Sequence, residues 1–303
     1  MNKDFLSVYD LTRADFEIIF EKARRLKKML REGTPYRPLT GKTLGMIFEK
    51  SSTRTRISFE VGIYQLGGTA LFLSSRDTQL GRGENISDTA RVMSRYLDAV
   101  VIRTYSQEFV EEFAKFATIP VINGLTDREH PCQIVSDLFT IMEKKGGCEG
   151  LKVSYIGDGN NVANSWIDAA ARIPFHLSLA CPEHYEPDAE ILARGVKEAI
   201  RGITLHRDPL DAVLEADVIY TDVWTSMGQE TEKDERTKAF QAYQINRSLL
   251  ARARDNAIVM HCLPAHRGEE ITDEVIDGPH SVVIDQAENR LHVQKAIMEI
   301  VMR

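Results

Sequence analysis

Short apolar runs alternate with longer stretches of helical periodicity along the whole chain. Runs at 43–48, 69–73, 99–102 and 119–123 read as buried strands. Between them, Ile57, Phe59, Val61, Ile63, Tyr64 and Leu66 suit a packed helix from 53 onward, and 87–97 and 106–117 read as further helices. Ahead of these, Thr12 and Asp15 resemble a capping box for a helix carrying Phe16, Ile19, Phe20, Ala23, Leu26 and Leu30, which Gly33 and Pro35 stop. A helix containing Ile134, Val135, Leu138, Phe139 and Met142 ends the first half.

The glycine-rich segment 146–150 marks a boundary, and the pattern then restarts. Strands at 151–156, 175–180, 203–206, 217–221 and 257–260 alternate with helical segments, and Val282-Val283-Ile284 lead into a closing helix from 286 to 302. Strand–helix alternation of this kind predicts an α/β protein of two domains, 1–145 and 146–285, each a parallel sheet flanked by helices.

In open α/β sheets ligands bind beyond the carboxyl ends of the strands, and chemistry-bearing residues collect there. Strand 43–48 runs into Ser51-Ser52-Thr53-Arg54-Thr55-Arg56 at a helix start. Unpaired backbone N–H groups and the helix dipole favour an anion at that point, and arginine forks match phosphate oxygens. An ordinary capped helix with surface arginines is the competing reading. Arg103 ends strand 99–102, and Asp127-Arg128-Glu129-His130-Pro131-Cys132-Gln133 follow strand 119–123. Three strand ends thus supply Arg54, Arg103 and His130. The polar loop 74–85 is either functional or a plain connection.

In the second half, Gly157-Asp158-Gly159-Asn160-Asn161 resembles a nucleotide-binding turn, but Val162 stands where the third glycine of G-x-G-x-x-G belongs. Asn160 and Asn161 read equally as a cap pair or as a ligand clamp. Asp222 and Ser226 leave strand 217–221, where an acid can hold an ammonium group, and the charged run 229–238 reads as a solvated face. Strand 257–260 delivers His261-Cys262-Leu263-Pro264, with a buried, inert thiol as the default expectation. Arg290, placed in the first turn of the closing helix, opposes the dipole and so points to another task.

Composition narrows the partners. The 303 residues are 43% hydrophobic and 27% charged, with a formal net charge of −7. That balance argues against a general nucleic-acid binder and makes any phosphate site a local island of positive charge. No segment approaches the ~18 apolar residues of a membrane span, and no apolar leader opens the chain. A cytoplasmic protein is expected. The four cysteines form no C-x-x-C pair, so reduced thiols and no metal site are expected.

Taken together, Ser52-Thr53-Arg54-Thr55-Arg56, Arg103-Thr104, His130-Pro131-Cys132-Gln133, 222–228 and His261-Cys262-Leu263-Pro264 closely resemble the ornithine carbamoyltransferase family, in order and over nearly the full length. The resemblance implies transfer of the carbamoyl group of carbamoyl phosphate to L-ornithine, giving L-citrulline and phosphate, without a cofactor. It implies a homotrimer with active sites at subunit interfaces, and a C-terminal helix (286–303) that returns to the first domain. Ser52, Thr53, Arg54 and Thr55 would bind phosphate, Arg103 both phosphate and carbamoyl oxygen, and His130 and Gln133 the carbamoyl group. Gln79 would serve the neighbouring subunit, and Arg290 would add a carbamoyl phosphate contact. Asn161, Asp222, Ser226 and Met227 match residues that grip ornithine, while Cys262 and the Leu263 backbone face the reacting groups. Arg103, His130, Asp222 and Cys262 carry the catalytic expectation.

Two alternatives remain open. A sister carbamoyltransferase would use aspartate, putrescine or N-acetylornithine; Asp222, Ser226 and Cys262 suit a diamino acid better than a second carboxylate. A regulatory or nucleotide-binding α/β protein is the reading suggested by the Gly157-Asp158-Gly159 turn.

Overall fold

The computed structural model describes residues 3–74, 85–226 and 228–303. It divides into two compact units, one of Met1–Phe139 with Asn289–Arg303, the other of Thr140–Glu288. Each contains a wholly parallel sheet flanked by helices, as the strand–helix alternation predicts.

In the first unit, Arg13–Arg31 (α1) starts at a true capping box, with Asp15 N–H on Thr12 and Thr12 N–H on the Asp15 carboxylate. Then come Thr43–Phe48 (β1), Thr53–Gln65 (α2), Thr69–Ser74 (β2), Ile86–Met93 (α3), Ala99–Arg103 (β3), Gln107–Phe116 (α4), Val121–Leu125 (β4) and Pro131–Lys145 (α5), whose residues from Thr140 on belong to the second unit. Helix α3 ends four residues earlier than periodicity suggests. Ser94 caps it, and Tyr96 lies in solvent while Leu97 turns into the core. The strand order is β2-β1-β3-β4. The direction in which successive strands are added therefore reverses between β1 and β3, the switch point at which such sheets bind ligands. Ile47, Val100, Ile102, Val110, Phe113 and Val121 form a buried cluster around this sheet. The N-terminal segment adds itself at the β4 edge, where Phe5 N–H donates to Val121 O and Asn123 N–H to Phe5 O, both at 2.8 Å.

In the second unit the elements are Lys152–Ile156 (β5), Asn161–Ala170 (α6), His176–Ala180 (β6), Ala189–Glu198 (α7), Ile203–His206 (β7), Pro209–Val213 (α8), Val218–Thr221 (β8), Lys233–Phe240 (α9), Arg247–Leu250 (α10), Ile258–His261 (β9) and Asp273–Ile276 (α11). Their strand order, β7-β6-β5-β8-β9, puts the reversal between β5 and β8. Ile156, Ile219, Phe240, Ile245 and Val259 lie in its buried core.

The closing helix, Val283–Val301 (α12), starts three residues before the expected 286. Arg290 therefore sits beyond the first turn, where the dipole has faded, so opposition to the dipole does not explain it. From Asn289 onward α12 belongs to the first unit. There Lys27 Nζ donates to Asn289 Oδ1 at 2.7 Å, and Lys22 pairs with the buried Glu299 carboxylate at 2.9 Å. No helix among the described residues is long and apolar enough to cross a membrane.

Gly159, half of the nucleotide-like turn, has a packing reason. A Cβ there would fall 2.2 Å from both the Glu186 carbonyl carbon and the Pro187 nitrogen, because the 186–187 backbone crosses directly over it. Gly159→Ala should consequently lower stability by about 1–3 kcal/mol, the usual cost of forcing atoms into a packed site. Chemical denaturation would read the loss, with Gly147→Ala, whose added methyl would meet nothing within 4 Å, as the near-neutral control.

Candidate active site

The residues between β1 and α2 form an anion cradle in the first unit. Ser52 is the N-cap of α2, and its hydroxyl accepts the Thr55 N–H at 3.1 Å. Thr53 is exposed and Arg54 half-buried, whereas Thr55 is fully buried. Arg56 does not join them. Its Nε donates to Glu60 at 2.9 Å and its guanidinium lies 3.7 Å from the Phe72 ring centroid, on the outer face of α2.

Parallel pairing of β1 with β3 places Phe48 opposite Arg103, and Glu49 N–H extends the ladder to Arg103 O at 2.8 Å. The β3–β4 register slips between Ile102 and Arg103, an irregularity of the kind that re-aims a side chain beside a site. Arg103 is 5% exposed, and its Nε donates to Lys50 O at 3.2 Å. Beyond β4, His130 and Gln133 are buried at the start of α5; Gln133 Nε2 donates to Asp137 Oδ1 at 2.8 Å, while its Oε1 is buried without a hydrogen-bond partner among the described residues. Arg290 Nη2, arriving on α12, donates to Thr55 Oγ1 at 2.8 Å.

Electrostatics show how closely these groups gather. Burial pushes the His130 imidazole well below its ordinary pKa, and the positive charges of Arg290, Arg103 and Arg54 push it further the same way. His130 is therefore neutral at pH 7, able to donate one N–H. Burial also pushes the neighbouring Cys132 thiol up to about 12, which leaves it an inert core group.

In the second unit Asp222, just past β8, is the hub. Its Oδ2 accepts Asn160 Nδ2, and its Oδ1 accepts both the Cys262 thiol and the Val223 N–H, each at 2.8 Å. Asn160 is the N-cap of α6, its Oδ1 taking the Val162 and Ala163 N–H groups, so it serves as cap and as anchor for Asp222. Asn161 is the first residue of α6 and partly exposed. Ser226 N–H donates to Gln229 Oε1 at 3.1 Å. Beneath this layer, burial raises the Asp158 carboxyl to about 6, against the opposing pull of Arg236.

Cys262 is half-buried and donates to a carboxylate, unlike the buried, inert thiol expected by default. Leu263 adopts a left-handed backbone, φ 58°, and its N–H donates to His261 Nδ1 at 2.8 Å. That bond fixes the neutral tautomer, so His261 Nε2–H faces the buried Glu270 at 3.1 Å. Asp222, His261 and Cys262 have ligand atoms within 4.8 Å of one another. Both His261 nitrogens are already engaged, however, so this is not a preformed metal site.

Gln79 and Met227 lie outside the described residues. Sequence reasoning missed Lys50, which is buried, paired with Asp127 and 4.4 Å from the Tyr105 ring centroid, and which joins the cradle loop to the loop carrying His130. Its place directly before the serines was the only available signal.

Family comparisons match this arrangement half by half. The profile of the aspartate/ornithine carbamoyltransferase carbamoyl-P binding domain matches residues 3–143, and that of the Asp/Orn binding domain matches 149–301. The chain belongs to the aspartate/ornithine carbamoyltransferase family. The ornithine carbamoyltransferase of Syntrophus aciditrophicus is 70% identical to it over 99% of both chains, and that of Geobacter sulfurreducens is 57% identical over 100% of both. Among solved structures, the ornithine carbamoyltransferase from Pyrococcus furiosus superposes with a TM-score of 0.95 at 53% identity, covering 99% of this chain and 96% of that one.

Within this carbamoyltransferase fold, the arginine field around His130 can be measured. NMR titration of the imidazole should show it neutral throughout pH 6–8. Arg290→Gln removes one positive charge and should raise the His130 pKa, since less repulsion then opposes the imidazolium. An unchanged titration in that variant would mean that Arg290 does not act on His130.

Proposed function

We propose that the protein is an ornithine carbamoyltransferase, converting carbamoyl phosphate and L-ornithine to L-citrulline and phosphate. The observation carrying this reading is that one chain contains both an anion cradle bearing Arg54, Arg103 and Arg290 at one sheet's switch point and, at the other's, an Asp222 carboxylate that accepts from the Cys262 thiol. The first suits a dianionic acyl phosphate, the second a cationic amino acid, and full-length relatives named for this reaction share 70% and 57% of the sequence.

In the proposed reaction the α2 N-terminus, Ser52, Thr53, Arg54 and Thr55 hold the phosphate, and Arg290 fixes the Thr55 hydroxyl. Ornithine's δ-amine, with a pKa near the lysine value of about 10.4, must lose a proton before it attacks. Its lone pair then forms the N–C bond while negative charge builds on the carbamoyl oxygen. Arg103 and neutral His130 are suited to stabilise that charge, and a protonated His130 would be less readily accommodated beside three arginines. Gln133, its Oε1 available, is suited to accept from the carbamoyl NH2. Collapse breaks the C–O bond, the attacking nitrogen gives up its surplus proton to the departing phosphate oxygen, and the phosphate leaves already matched by positive charge. Carbamoyl phosphate is itself activated, so no covalent enzyme intermediate is needed. Asp222 would take the α-ammonium, Asn161, Ser226 and Met227 would complete the amino-acid grip, and Cys262 with the Leu263 backbone would orient the amine.

A homotrimer completed by Gln79 of a neighbouring copy is part of the proposal, as is a cytoplasmic setting. Support for self-association comes from Ile57, Val61 and Tyr64, which form an exposed apolar stripe on α2, and from Leu71, exposed on the edge strand β2. Light scattering should give three times the chain mass.

Citrulline formation from ornithine should exceed carbamoylation of aspartate, putrescine and N-acetylornithine; preference for any of the other three would overturn the assignment. Arg54→Ala should abolish carbamoyl phosphate binding by calorimetry. Cys262→Ala should retain that binding and impair ornithine use, and equal loss of both substrates would show Cys262 to be misassigned.

A further inference from the structure

Arg236 lies in the charged run expected to be a solvated face, yet it is 3% exposed. Its guanidinium makes one hydrogen bond and is otherwise held by ion pairs and aromatic rings. Nε donates to Trp224 O at 2.6 Å, and Nη2 lies 2.5 Å from Asp158 Oδ2. Nη1 is 3.5 Å from Glu232, and the plane sits 4.7 Å from the Tyr185 ring centroid and 5.4 Å from that of Phe240. Trp224 stacks on the same Phe240, with centroids 6.0 Å apart.

The two groups that the fork joins belong to different loops. Asp158 is in the turn after β5, two residues before Asn160, which holds Asp222. Trp224 is in the segment after β8, between Asp222 and Ser226. These loops flank the switch point of the second sheet. A surface arginine would stabilise the fold little, and a buried ion pair is often no better than a well-packed apolar group. Specifying the geometry of the two loops gives this pair a reason to exist. Lysine could satisfy one of these partners but could not fork to both.

We infer that Arg236 is a positioning residue for the acceptor amino acid, holding the Asp222–Ser226 segment in register against the Asp158–Asn161 turn. It touches no substrate and acts through the Trp224 carbonyl and the Asp158 carboxylate. The inference rests on the ornithine reading above for the identity of the ligand, but its structural half can be tested without substrate.

Wild type, Arg236→Gln, Arg236→Lys and Asp158→Asn would be compared in steady-state citrulline assays. Arg236→Gln should raise the ornithine KM by about tenfold or more, equivalent to ~1.4 kcal/mol. The carbamoyl phosphate KM should stay within about twofold, because only acceptor binding is disturbed. Arg236→Lys should fall between, and Asp158→Asn should shift the same KM in the same direction. In protein labelled with 5-fluorotryptophan, the two tryptophans give two 19F signals, assigned with Trp166→Phe. The Trp224 signal should move in Arg236→Gln while that of Trp166 stays in place. Equal rises in both KM values, an unchanged ornithine KM or an unmoved Trp224 signal would each overturn the inference. If Arg236→Gln does not fold, Arg236→Lys and Asp158→Asn decide by the same readouts. If the wild type forms no citrulline, the ornithine reading fails, and the Trp224 signal alone still decides whether Arg236 holds the loop.

Discussion

Positive charge gathered around one buried neutral histidine is the constraint on which the first unit depends. In a chain of net charge −7, Arg54, Arg103 and Arg290 reach His130 from three separate elements. Mutual repulsion would scatter them without structural restraint. Parallel pairing fixes Arg103 opposite the end of β1, the Ser52 cap fixes the start of α2, and α12 returns Arg290 to Thr55. Much of the unit's architecture can be understood as holding these like charges near one another.

The second unit solves a complementary problem with few charges. Asp222 is satisfied from both sides by neutral donors, an amide and a thiol, and is buried at 7% exposure. The thiol is the weaker of these donors, the one a cationic group could displace. Leu263 and its bond to His261 set the direction of the Cys262 turn, while Glu270 holds the imidazole tautomer. Both sheets thus place their polar hubs where strand order reverses, because there adjacent loops diverge and leave room for a ligand.

Much of this was legible in the chain. The strand–helix rhythm gave both parallel sheets, and strand-end reasoning placed Arg54, Arg103, His130 and Asp222 at or just beyond carboxyl ends of strands, where they lie, since each follows an apolar run too short for a helix. Errors arose where neighbours in space decide. Arg56 looked equivalent to Arg54 but lies on the other side of α2, against Glu60 and Phe72. The run containing Arg236 looked uniformly solvated, because nothing local announces that one arginine turns inward to Asp158. Arg290 was noticed for a reason that the earlier start of α12 removes.

By itself the sequence determined the fold class, the order of the motifs and the family resemblance, because hydrophobic period and residue type are local and additive along the chain. Only the tertiary structure decided which charges act on His130, which asparagine caps α6 and anchors Asp222, and why Gly159 cannot carry a side chain. Those depend on strand order, register and chain crossings between residues as much as 235 positions apart, as Arg290 and Thr55 are. Burial then turns such contacts into chemistry, by removing the water that would otherwise screen them.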